Sequence, residues 1–150
     1  MNKKKLMIAG AVGAALSIAA AGGAALAHHA FAAEFDGKSP VLLRGKVVRV
    51  EWINPHAWVH VANVNKDGTT TVWMVEGGTP NTLLRAGIDR NSLKAGTEII
   101  VRGYQSKDKL CRPACKANGR DVTFPDGKKL FMGSSGTGAP ADGSDPTERK

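Results

Sequence analysis

Hydrophobic and polar residues alternate along the central part of the chain. Between residues 41 and 53, Leu43 and Val47 alternate with charged residues, and the phase then shifts by one position so that Val48 and Trp52 continue the hydrophobic series. Alternation of this kind predicts a half-buried strand, and the phase shift predicts a β-bulge that bends it. Similar patterns predict further strands over residues 57–64, 69–76, 97–104 and 120–124.

A short helix is predicted between the third and fourth strands. Thr79 can cap its start, Pro80 suits its first position, and Gly87 suits its end. Leu83 and Leu84 are its predicted buried anchors. Five strands with a helix in this place have the element order of an OB-fold, so the sequence predicts an all-β, five-stranded OB-like barrel. A small β-sandwich and a different five-stranded barrel are the alternatives.

The first 27 residues have the pattern of a signal peptide. A lysine cluster precedes an uncharged apolar run, which ends in the small residues Ala25 and Ala27. Cleavage after Ala27 would release a periplasmic protein without a stable membrane anchor, whereas a retained anchor is the competing interpretation. The predicted organisation is a signal peptide (1–27), an N-terminal arm (28–40), a barrel domain (41–132) and a disordered tail (133–150).

The charge of the chain excludes few classes of partner. The formal charge is +8, and loss of the three leader lysines lowers it to about +5. A basic exported surface suits a periplasmic partner protein, a glycan or anionic lipid, and we expect no nucleic acid.

Four histidines carry the clearest candidate chemistry. Cleavage after Ala27 would leave His28 as the first residue, with its free α-amine beside two imidazoles from His28 and His29. Such nitrogen donors suit copper first and zinc as the alternative. On one extended strand His56 and His60 would be about 13 Å apart, too far to bind one ion together unless the turn at residues 54–55 folds His56 back. His56 is the predicted partner from the barrel. Possible additional ligands are His60, Glu34, Asp36 and Glu76.

Two further groups of residues are candidates for a structural or a ligand-binding role. Cys111 and Cys115 predict a local disulfide in an exported chain, and a thiolate pair for a soft metal is the alternative. Trp52, Trp58 and Asn81 are candidates for a ligand-binding face, although tryptophans more often pack within sheets.

Four separated segments resemble a family of small exported bacterial proteins that carry a domain of unknown function. The segments are residues 28–31 (His-His-Ala-Phe), 51–56 (Glu-Trp-Ile-Asn-Pro-His), 76–81 (Glu-Gly-Gly-Thr-Pro-Asn) and 126–131 (Asp-Gly-Lys-Lys-Leu-Phe). The resemblance implies no activity. It marks as motif positions His28, His29, Trp52, His56, Glu76 and Asn81.

These observations predict a metal-binding protein, a copper carrier or scavenger, rather than an enzyme. The sequence contains no nucleophile elbow, no His-Glu-x-x-His segment and no glycine-rich phosphate loop. The main alternative is a non-catalytic binding module that holds a protein, glycan or small ligand on the face of Trp58 and His60. A copper-dependent oxidase is a third hypothesis.

Overall fold

The computed structural model describes residues 31–133, which form a mainly β structure. The predicted signal peptide, His28, His29 and the tail from residue 134 lie outside the described residues. Residues 31–34 are helical, and a second short helix covers Pro80–Arg85. The strands are β1 (Phe35–Glu51), β2 (Trp58–Val64), β3 (Thr70–Glu76), β4 (Glu98–Ser106), β5 (Cys115–Thr123) and β6 (Lys129–Phe131).

The strand pairings close into a ring. Within one sheet the order is β3-β2-β1-β4-β5-β6, and an additional parallel pairing joins β3 to β5. The other pairings are antiparallel. Strands β1 to β5 therefore make the ring, and β6 pairs with β5.

Strand β1 bends as its sequence predicts. Its register against β2 shifts between Val47 and Arg49, so the predicted bulge is confirmed. The bend brings the backbones close together at Gly45, where a Cβ atom would lie 1.9 Å from the carbonyl oxygen of Ala62. Glycine is therefore required at this position for steric reasons.

The predicted number of strands and the predicted starts of two strands are wrong. The predicted count of five strands is wrong, because the structure has a sixth strand, β6. Strand β1 begins at Phe35, inside the predicted arm, and β5 begins at Cys115, before its predicted start at residue 120. In β5 the inward residue Ala117 is small and the outward residues are polar, so a hydrophobicity pattern gives only a weak signal there.

The core fills the interior of the ring. Alternating residues such as Val59, Val61 and Val75 point inward and are fully buried. The Pro80–Arg85 helix contributes Leu83 to this core, whereas Leu84 is exposed, so only one of the two predicted anchors is buried. Within residues 31–133, neither helix has the length and apolar character that crossing a membrane requires.

A second, aromatic cluster holds the first described residues against the sheet. Phe31 and Phe35 pack with Tyr104, and the rings of Phe31 and Tyr104 meet edge to face at 5.8 Å. Lys107 adds two hydrogen bonds, from its backbone N–H to the carbonyl of Glu34 and from its ammonium to the carbonyl of Ala32. The segment from Phe31 is therefore fixed on the outer surface of the ring.

Candidate functional site

A row of side chains crosses the outer face of the ring next to this segment. Trp58 on β2 lies opposite Glu76 on β3, Glu76 lies opposite Asn118 on β5, and Asn118 lies opposite Tyr104 on β4. Residues paired directly across strands share a face. The row therefore runs from Trp58 to the aromatic cluster that anchors Phe31.

Glu76 is the buried carboxylate of this row. Burial raises its pKa above the usual range, and the negative charge of Glu34 raises it further, while His56, Asn118 and Lys116 act in the opposite direction. The carboxamide of Asn118 donates to Oε1 of Glu76 at 3.3 Å. Asn118 is itself buried, and its Oδ1 accepts no hydrogen bond from the described residues. Asn118 thus holds Glu76 in place, but the groups around its carboxylate only partly offset the effect of burial on its pKa.

His56 approaches the same carboxylate from the loop between β1 and β2. Its Nδ1 lies 3.3 Å from the carbonyl oxygen of Gly77 and 3.5 Å from Oε1 of Glu76. A carbonyl oxygen only accepts, so Nδ1 carries the hydrogen, and the lone pair of the neutral ring lies on Nε2. His56 precedes β2 and lies outside that strand, so it does not share one extended strand with His60.

Glu34 connects the N-terminal segment to this face. Its carboxylate pairs with the ammonium of Lys116 at 3.1 Å, and that ammonium lies 5.8 Å from the centre of the Trp58 ring. Lys116 and Asn118 lie on the same face of β5, so the ion pair of Glu34 lies beside the residue that donates to Glu76.

His60 has a different environment from His56. Its imidazole is buried on the outer face of β2, and Nε2 donates to Oε1 of Glu51 at 2.8 Å. The guanidinium of Arg49 lies 2.9 Å from the same oxygen. His60 is thus committed to a structural hydrogen bond.

The remaining candidates are dispersed. Asp36 accepts hydrogen bonds from the Ser39 hydroxyl and the Lys38 backbone, which lower its pKa, and these contacts are local. Trp52 packs against the main core beneath Arg90, while Asn81 is exposed on the short helix. Trp52, Trp58 and Asn81 therefore have separate environments.

The two cysteines form a disulfide. The bond joins Cys111 to Cys115, the first residue of β5, which lies opposite Trp73. Neither sulfur is a thiolate in this state, so the pair does not provide the alternative soft-metal site.

The described part of the chain does not hold a complete metal site. Among residues 31–133, no three His, Cys, Asp or Glu side chains are grouped so that they could share an ion. His60, Glu34 and Asp36 therefore do not form a ligand set with His56. Asn118, Lys116 and Glu51 are not among the residues predicted from the sequence. Polar alternation around Ala117 is a signal for the first two, and Glu51 lies within one of the motif segments.

Comparison with known families gives a relationship without an activity. Residues 14–112 match DUF6152, a family of unknown function, and this range is more than half of the chain. The chain belongs to DUF6152. No curated protein matches it.

The DUF6152 match includes most of the candidate site. His56, Trp58 and Glu76 lie inside the matched range, as do His28 and His29. Lys116 and Asn118 lie beyond it, and so does the late segment 126–131.

Proposed function

We propose that this DUF6152 chain is a periplasmic metal-binding protein, a carrier or scavenger with copper as its first ligand and zinc as the alternative. The ligands are the α-amine and imidazole of His28, the imidazole of His29 and Nε2 of His56. The proposal requires export and cleavage after Ala27. It assigns no catalytic step to the chain.

The orientation of His56 is the observation that carries this proposal. A histidine that binds a metal commonly donates its other ring N–H to a carboxylate or a backbone carbonyl, which fixes the tautomer. The Nδ1 of His56 faces both kinds of acceptor, Gly77 at 3.3 Å and Glu76 at 3.5 Å. Glu76 therefore supports His56 rather than binding the ion itself.

The position of the N-terminal segment supplies the other ligands. Glu34 pairs with Lys116 on the face of β5 that also carries Asn118, and Phe31 packs against Tyr104, which lies opposite Asn118. His28 and His29 precede Phe31 by three and two residues. A chain of three residues can span up to about 10 Å, so the two histidines have a short path to the face that carries His56.

The ring order supports an OB-like barrel as the fold that presents this site. The sequence of pairings β1-β2-β3-β5-β4-β1, with β3 and β5 parallel, joins all five predicted strands. A short helix between β3 and β4 is also part of that architecture.

A titration of the mature chain with Cu(II), in competition with a chelator, tests the proposal. The matched proteins begin at His28, carry one additional serine before His28, or carry His28→Ala together with His29→Ala. We expect one copper per chain, and weaker binding by at least about tenfold in both altered proteins. Equal affinity in all three proteins would exclude the amino-terminal site. Native mass spectrometry of protein from the periplasm would identify the terminus and the ion.

Trp58 supports the alternative function as a binding module for a protein, glycan or small ligand. The Lys116 ammonium lies 5.8 Å from the centre of its half-buried ring, and the two groups together can contact an aromatic or anionic partner. Partner binding that persists after chelation and is lost in Trp58→Ala would favour this function over metal transport.

A further inference from the structure

A groove lies on the outer surface at the bend of β1, away from the row that contains Glu76. Its volume is about 750 Å³. The β2 residues that line it, Ala62 and Val64, belong to the opposite end of that strand from Trp58. The groove is therefore separate from the proposed metal ligands.

The strand registers place the walls of the groove on the outside of the ring. Arg44 lies opposite Ile100, and Lys46 lies opposite Ala62 on one side and Glu98 on the other. Arg44 and Lys46 flank Gly45, where the backbones of β1 and β2 approach each other. The missing side chain of Gly45 lets the sheet fold sharply beneath the groove.

The groove combines an apolar surface with a charged edge, where Arg44 and Lys46 outnumber the single carboxylate of Glu98. Its apolar residues include Val64, which is 60% exposed, together with Ala62, Ile100 and Phe124. An exposed aliphatic patch inside a concavity of this size is typical of a binding site for a small molecule.

The positive charge at the edge is available to a ligand. Among the described residues, no hydrogen bond or ion pair engages the guanidinium of Arg44, while its backbone N–H donates to Oδ1 of Asn63. Lys46 faces Glu98 at 3.7 Å, but both side chains are mostly exposed, so their mutual attraction is weak.

We propose that this groove binds a medium-chain fatty acid, with the alkyl chain along Ala62, Val64 and Ile100 and the carboxylate at Arg44 and Lys46. An alkyl body suits the aliphatic walls, and a carboxylate matches the guanidinium. This second binding activity does not depend on the proposed metal site.

Titration with sodium decanoate below its micelle concentration, followed by ¹H–¹⁵N NMR, tests the proposal. We expect saturable shifts at Arg44, Ala62 and Ile100, with affinity increasing about threefold for each methylene from hexanoate to decanoate. Decyltrimethylammonium has a similar chain and the opposite charge, so we expect it to bind more weakly. Absence of saturation, shifts located elsewhere, or equal binding of the cation would overturn the proposal.

Two matched pairs of variants separate specific binding from general effects. Arg44→Gln should weaken decanoate binding by roughly fivefold, whereas Arg85→Gln, on the exposed helix, should leave it unchanged. Ile100→Gln should weaken binding by about tenfold, whereas Val48→Gln, exposed on β1 outside the groove, should not. Native-like NMR spectra of the variants without ligand would establish that each is folded. If groove and control variants bind equally, the assigned site is wrong.

Discussion

The two described histidines each meet a glutamate, but burial is reversed between the pairs. In the first pair, His56 has a side chain that is 38% exposed and Glu76 one that is 11% exposed, with 3.5 Å between Nδ1 and Oε1. In the second pair, His60 is 5% exposed and Glu51 is 31% exposed, with 2.8 Å between Nε2 and Oε1. The first pair buries the acid and exposes the imidazole, while the second does the opposite.

This reversal gives the two imidazoles different uses. The Nε2 of His60 is committed to Glu51, whose charge is also balanced by Arg49 at 2.9 Å. The Nδ1 of His56 lies 3.3 Å from the carbonyl oxygen of Gly77, so Nε2 is the nitrogen left to bind an ion. We therefore expect His60 to contribute to stability and His56 to contribute to binding.

The largest expected effect is on metal affinity. His56→Ala should weaken Cu(II) binding to the mature chain by about a hundredfold, because it removes a nitrogen ligand that Glu76 orients. His60→Gln retains a hydrogen-bond donor and should leave the affinity within about twofold. Competition with a chelator at constant pH measures both values. A larger loss for His60→Gln than for His56→Ala would reverse our assignment of the two roles.

The effects on stability should have the opposite order. His60→Ala should lower the free energy of unfolding by about 2 kcal/mol, because it removes a buried ring and its hydrogen bond to Glu51. His56→Ala should lower it by less than about 1 kcal/mol, since that side chain is partly exposed. Urea unfolding of the metal-free proteins provides the comparison, and similar losses in both would contradict it.

Sequence patterns predicted the backbone near these pairs better than their contacts. The bulge after Val47 was readable because alternation reports which face each residue occupies. The same alternation placed His60 on the outer face, but it could not show that Glu51 and neighbouring groups bury the imidazole there. The partners His56 and Glu76 are 20 residues apart, so their meeting depends on the direction of a loop that local patterns do not determine.

The long-range contacts of β5 were also hidden. Asn118 and Lys116 reach the candidate site only because β5 runs parallel to β3, a pairing that hydrophobicity does not encode. His28 and His29 lie outside the described residues, so their assignment as ligands stays a prediction from the sequence. The sequence thus indicated several participants in the proposed site but little of its geometry.

A smaller effect, dependent on pH, should distinguish the buried acid of the first pair. The raised pKa of Glu76 means that the folded chain holds its proton more tightly than the unfolded chain does. Its contribution to stability is therefore fully present below the ordinary glutamate pKa of 4.5 and is lost as the pH rises through the higher folded pKa. Glu76→Gln should remove this decline while retaining an acceptor for Asn118. Unfolding measured from pH 4 to pH 8 would show it as a changing difference from the unaltered protein, and a constant difference would contradict it.

The smallest expected effects concern the exposed cations beside each pair. Arg49→Gln should lower the free energy of unfolding by no more than about 1 kcal/mol, because the Arg49 side chain is exposed and solvent weakens its attraction to Glu51. Lys116→Gln should lower the free energy of unfolding by a similarly small amount, because it removes the ion pair with Glu34 at 3.1 Å.

The same two variants should differ in their effect on the pKa of Glu76. Lys116 lowers the pKa of Glu76, so its removal should raise that pKa further, whereas Arg49→Gln should leave it unchanged. NMR titration of the Glu76 carboxyl carbon measures this directly, and equal shifts in the two variants would mean that the two histidine–glutamate pairs are not electrostatically separate.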